Sequence, residues 1–277
     1  MTLLHDLVAA ELAVPVDPRV ASFAGAIADR YPGAARAVLF YGSCLRTSDL
    51  DGQMLDFYLI VSGYEAAYGR GWLAAANRLI PPNVFPFEHD GLAAKVAVLS
   101  ESDFLRLNGP EPLSVSVWAR FAQPSRLVWH YDEAAAGRCV QAVARAAPTL
   151  LAAARADLAA DSLADPLDLW RRAFTLTYGA ELRAERQDRP ASVVDSDPLR
   201  YRRFTGPAVE AAGIGTLRED GRLDLRSITP AERRRERSLW ARRRRGGKAL
   251  TVIRLVKASG TFAGGIYTLS LHDALPI

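Results

Sequence analysis

What the chain has little of narrows its chemistry before any motif is considered. Two cysteines among 277 residues, Cys44 and Cys139, make no disulfide framework, so a reducing compartment is the simpler expectation. His5, His89 and His130 have no Cys or His partner at ligand spacing, which argues against structural zinc. No Ser/His or Cys/His constellation announces covalent catalysis. No uninterrupted apolar run reaches the roughly 20 residues of a spanning helix. The opening stretch, MTLLHDLVAAELAV, has no basic lead and is broken by Asp6 and Glu11, so no secretory signal is expected. Repeats are absent, and only the arginine clusters have low complexity. A cytoplasmic chain is expected, soluble or peripheral on the inner membrane surface.

What is present fits a folded α+β protein. Hydrophobic residues make up 49% of the chain, enough for a sizeable core in one large domain or two smaller ones. A net charge of +4 implies no more than a mild preference for anionic partners. An Asp-Pro start and apolar positions at helical spacing predict a helix over 18–30. AVLFYGS (37–43) and MLDFYLIV (54–61) read as strands, and GYEAAYGRGWLAAANRLI as a helix stopped by Pro81-Pro82. NVFPFEHDG and LAAKVAVLS read as a hairpin or a pair of sheet strands. SESDFLRL carries a capping signature, and SVSVW and SRLVW read as further short strands. From Asp132 to about Arg186 the chain is Ala-, Leu- and Arg-rich with helical periodicity. A small hairpin turning at Asp220-Gly221 follows, and then a helix from Thr229-Pro230. The expected plan is a mixed-sheet domain over 1–131 and a mainly helical domain over 132–266. Residues 267–277, YTLSLHDALPI, resemble translated sequencing adapter and are set aside as a non-native tail, with the natural chain expected to run on.

Residues 38–61 read VLFYGSCLRTSDLDGQMLDFYLIV, and Asp56 is the odd residue in them. A carboxylate among Leu55, Phe57, Leu59 and Ile60 costs several kcal/mol by burial unless a positive group meets it, on the order of the desolvation penalty. Gly42 would let the backbone approach a phosphate closely, and the amides around Ser43 could cradle phosphate oxygens. Asp56, on the next strand, would then hold Mg²⁺ against the same oxygens. Gly-Ser, a spacer and an aspartate in an apolar strand resemble the core pattern of the nucleotidyltransferase superfold. The usual pattern repeats the carboxylate two residues on, where this chain has Tyr58. Glu88 is the expected second metal ligand, with Asp49, Asp51 and Asp90 as alternatives. The bland alternative is an ordinary turn, with Asp56 paired to an arginine.

Further segments carry a closer resemblance: FYGSCLR, then MLDFYLIV, Asn77-Arg78, AKVAVLS, WARFAQP and TYGAELR, in that order. The chain resembles the mitochondrial-type phosphatidate cytidylyltransferases, the translocator assembly and maintenance family, over roughly residues 35–265. The likeness is specific in the first half and loose after about 190. That family has a Tyr-Gly-Ser-Gly motif followed by an Ile-Asp-Phe strand with no second carboxylate two residues on, which accommodates Tyr58. Its Lys-Tyr-Gly-Val strand is similar to Lys95–Val98, its Gly-Asp-x-Arg helix to the segment ending at Arg183, and its late Lys-Gly segment to the chain from Lys257 onward.

The resemblance implies transfer of CMP from CTP to phosphatidic acid, giving CDP-diacylglycerol and pyrophosphate. A phosphate monoester is already anionic at neutral pH, so positioning and charge neutralisation replace a strong general base. Asp56 and Glu88 would hold Mg²⁺. Gly42 and Ser43 would orient the triphosphate, and Lys95 and Arg183 would neutralise the pyrophosphate or the lipid phosphate. The basic stretch ERRRERSLWARRRRGGK (232–248) reads as a helix with Leu239 and Trp240 as its main apolar residues. A solvated, salt-bridged face is one reading of it, and an anionic membrane surface is the preferred functional one. Nucleic acid is not the expected partner. Two other functions stay open: a nucleotidyltransferase with a different acceptor, and a degenerate relative that binds nucleotide or RNA without turnover.

Overall fold

A computed structural model of the chain describes residues 2–47, 49–69, 71–157, 165–180 and 193–262, with side chains as far as residue 246 apart from 46, 47 and 157. It is an α+β protein with a mixed five-stranded sheet. Two units emerge: a sheet unit of His5–Asn108 and Gln123–Val143, and a helical unit of Met1–Leu4, Gly109–Ala122 and Ala144–Ile277. The division does not follow the expected break after Tyr131. The helix Glu133–Ala144 belongs largely with the sheet, where Arg138 donates to Glu101 at 2.6 Å, and the segment 109–122 belongs with the helices.

In the sheet unit the strands are β1 (Ala35–Tyr41), β2 (Met54–Val61), β3 (Asn83–His89), β4 (Leu92–Ser100) and β5 (Ser125–His130), in the order β3-β4-β2-β1-β5. β2 runs parallel to β4, and the other pairs are antiparallel. β2 lies centrally and is buried from Leu55 to Val61, which is why it reads as a continuous apolar run rather than an alternating one. One face packs on the helix Pro18–Asp29. Asp17 caps that helix through the Arg19 N–H at 2.8 Å, and Val20, Phe23, Ala24, Ile27 and Ala28 form its buried stripe. Phe23 stacks on Phe57 with ring centres 5.2 Å apart, and Phe57 meets Phe40 at 5.2 Å. Because side chains alternate along a strand, Phe57 commits to this core while Asp56 and Tyr58 point to the opposite face.

Two expectations on the connections need correcting. The stretch 64–79 is two helices, Tyr64–Tyr68 and Gly71–Leu79. Gly69, at φ 55°, ends the first in the left-handed conformation. SVSVW is not a strand: Ser116–Phe121 is a short helix whose six residues are all buried. With no exposed face, it carries no polar rhythm to mark it as helical. The other strands formed where expected, β3 and β4 as a hairpin through Asp90-Gly91. Ser100 caps the helix Glu101–Leu107 through the Asp103 N–H.

The helical unit packs the helices Ser116–Phe121, Ala146–Ala154, Pro166–Ala180, Pro198–Ala211 and Pro230–Phe262 with a small hairpin of β6 (Gly215–Leu217) and β7 (Leu223–Leu225). Trp170 is fully buried against Phe174 and Tyr201, and its indole N–H donates to Thr205 Oγ1 at 2.9 Å. Thr229 and Glu232 form a reciprocal capping box at the start of the last helix. On that helix Trp240 and Arg243 are buried, so the basic stretch is not solvated all round.

Candidate functional site at the end of the first strand

β1 ends at Tyr41, and the chain turns at Gly42 with φ +97°, a conformation that residues with side chains rarely adopt. A Cβ at Gly42 would stand 2.8 Å from Asp56 Oδ2. The turn therefore needs glycine for two separate reasons, its dihedral and its approach to the carboxylate. Asp56 is 4% exposed and lies in register with Tyr41 on one neighbouring strand and Lys95 on the other. Paired strands are about 4.8 Å apart and paired residues share a face, so Tyr41, Asp56 and half-buried Lys95 form one row. Ser43 opens the short helix Ser43–Thr47 immediately beyond the turn.

Electrostatics bring in one of the loop carboxylates. Cys44 is buried beside the turn, and its thiol is pushed up, first by burial, then by the negative charge of Asp56 and more weakly by that of Asp49. Asp49 thus shares the neighbourhood of Asp56, although it is exposed. The other candidates lie elsewhere. Asp51 is engaged by Arg19 at 2.8 Å. Asp90 is in the hairpin turn at φ 48°, 3.3 Å from the His89 ring. Glu88 is exposed on β3, with β4 between it and the strand that carries Asp56. The structure brings together Gly42, Ser43, Asp56 and Lys95 but does not set Glu88 beside them. Arg183 lies outside the described residues, as does the side chain of Lys257.

Where a second carboxylate could stand on β2, Tyr58 is 2% exposed and packs its ring 5.2 Å from that of Tyr41. Aromatic packing fills that position. Among the described residues no group of three or more His, Cys, Asp or Glu side chains could hold a metal ion by itself. Mg²⁺ is commonly held by one or two carboxylates together with substrate phosphates rather than by an all-protein cage. The close Gly42 approach fits that mode, because backbone without a side chain lies directly against the buried carboxylate. Tyr41 is the neighbour that sequence reasoning passed over. Its place opposite Asp56 depends on the β1–β2 register, which the intervening loop conceals.

Among the described residues no helix is long and apolar enough to cross a membrane. No family model matches the chain, and no curated protein matches it either.

Proposed function

We propose that the Gly42–Asp56 site is a nucleotidyltransferase centre that moves CMP from CTP to phosphatidic acid. The observation that carries the nucleotide reading is the 2.8 Å separation between a Cβ position at Gly42 and Asp56 Oδ2. It gives a phosphate chain bare backbone to lie against, at the point where a buried carboxylate can share a cation with it. Mg²⁺ held by Asp56 would neutralise charge on the phosphate oxygens. Gly42 and Ser43 orient the triphosphate, and Lys95, in register beside Asp56, offsets negative charge on the departing pyrophosphate. A phosphatidate oxygen forms a bond to the α-phosphorus of CTP. The bond to the bridging oxygen breaks, and pyrophosphate leaves with that electron pair. The acceptor is already an anion, so the site calls for no strong base.

The choice of CTP and phosphatidate rests on the ordered resemblance of the FYGSCLR, AKVAVLS and WARFAQP segments. In the same reading, the exposed arginines of the helix Pro230–Phe262 rest on the anionic inner membrane surface. Tyr58, packed where a second carboxylate could stand, favours one other reading, a relative that binds nucleotide without turning it over.

The test is turnover. Labelled CTP, Mg²⁺ and phosphatidic acid in detergent should yield lipid-soluble label and pyrophosphate. Asp56→Asn should lower the rate by on the order of 10²–10³-fold, the scale of removing one electrostatic stabiliser. CTP binding without transfer to phosphatidate would reject this acceptor.

A further inference from the structure

Among the described residues the helical unit buries three arginines, Arg120, Arg200 and Arg243, and no carboxylate. Arg243 is the most informative of them. It is 2% exposed, its Nη2 donates to the Pro110 carbonyl at 3.2 Å, and its Nε and Nη1 have no hydrogen-bond partner among the described residues. The guanidinium lies 5.5 Å from the Trp118 ring centre and 5.3 Å from that of Trp240. Trp118 Nε1 is a further buried donor without a partner among the described residues, whereas Trp240 Nε1 donates to Ala153 O at 2.7 Å. Glu236 acts on Arg243 only through space, and the adjacent Arg242 opposes it.

This cluster is rich in donors and poor in acceptors. Two indole faces favour a cation, but they leave its N–H groups unmet. Burial also pushes the guanidinium below its ordinary range, which reflects charge removed from water without a carboxylate to receive it. Packing alone would be served by Met or Leu at this position. An oxyanion supplies what is missing, a negative charge with several acceptor oxygens, and a guanidinium is the side chain best matched to phosphate.

We propose that Arg243, with the Trp118 indole N–H, anchors an oxyanion site within the helical unit that takes a phosphate group. The site is independent of the chemistry at Gly42 and Asp56. The phosphate could be free or the headgroup of a lipid, and the same groups would recognise either.

The experiment uses the full chain and inorganic phosphate, followed by thermal melting and intrinsic tryptophan fluorescence against sodium chloride of equal ionic strength. Phosphate should raise the melting temperature of the wild type beyond chloride and alter its tryptophan emission. The response should persist in Asp56→Asn, which separates this site from the nucleotide site. Arg243→Met should abolish the response. Arg243→Lys, which keeps the charge but loses the planar fork, should need at least about tenfold more phosphate for half-saturation. A parallel titration with dioctanoyl phosphatidic acid identifies the source: equal responses assign free phosphate, and a stronger lipid response assigns the headgroup. No phosphate-specific response in the wild type, or an undiminished one in the Arg243 variants, overturns the proposal.

Discussion

The two units bury charge of opposite sign. Among the described residues the sheet unit buries Asp56 and Glu11 and no arginine, whereas the helical unit buries Arg120, Arg200 and Arg243 and no carboxylate. Each unit also has a conventional core, built on Phe23, Phe40 and Phe57 in one and on Trp170, Phe174 and Tyr201 in the other. The aromatic clusters explain stability. The buried charges do not, because removing an ion from water costs more than apolar packing at the same position. The contrast therefore separates the aromatic residues that hold each unit together from the buried charges, of which Asp56 and Arg243 are the two proposed to meet a ligand. In the sheet unit, one residue along β2 divides the two roles.

That division can be tested by substitutions that should act on one side of it only. The largest effect is expected from Phe57→Ala, which removes a fully buried ring between Phe23 and Phe40. It should cost about 3–5 kcal/mol in a urea titration, while any surviving folded fraction keeps the Asp56 side of the sheet. A loss below about 1 kcal/mol would mean that this core had been misjudged. Gly42→Ala comes next. It adds a Cβ 2.8 Å from Asp56 Oδ2 at a left-handed φ, and should cost about 1–3 kcal/mol in the same titration. Replacing Gly137, which has open space around its Cβ position, is the control.

The smallest effect, taken over a single pH unit, is a pH dependence. Both cysteines belong to the sheet unit and both thiols are pushed up, Cys139 to about 12, mainly by burial and then by Glu101. The unfolded thiol ionises near 8.5, by roughly its reference value. Below that pH both states are protonated and the stability is fully present. Above it only the unfolded chain ionises, so stability should fall by about 1.4 kcal/mol per pH unit for each such thiol, until the folded value is reached. Cys139→Ala should flatten the decline measured between pH 9 and 11, about the middle of that interval.

Much of the sheet was legible in the sequence. β2, β5 and the β3–β4 hairpin follow from β-rich runs bounded by turn residues, and the helix Pro18–Asp29 from its cap and apolar spacing. Gly42 and Asp56 were legible because each is costly where it stands. The errors share a physical origin. Ser116–Phe121 is buried on every side, so neither a helical nor a strand rhythm survives in it. Gly69 was read through as a helical residue, because an isolated glycine gives no sign that it will take φ 55°. Arg243 was taken as one of a charged run. Its burial depends on Trp118, more than a hundred residues earlier in the chain, and no local pattern records that contact. Glu88 was named as a ligand on reach alone. The strand order, with β4 between β3 and β2, is a long-range fact of the same kind.

The most direct measurement of the central claim is calorimetric titration of the full chain with CTP, with Mg²⁺ and with EDTA, in the wild type and in Asp56→Asn. The account predicts CTP binding that needs Mg²⁺ and is lost or greatly weakened when the carboxylate is removed. CTP that fails to bind, or binds equally well without Mg²⁺ and without Asp56, would contradict it.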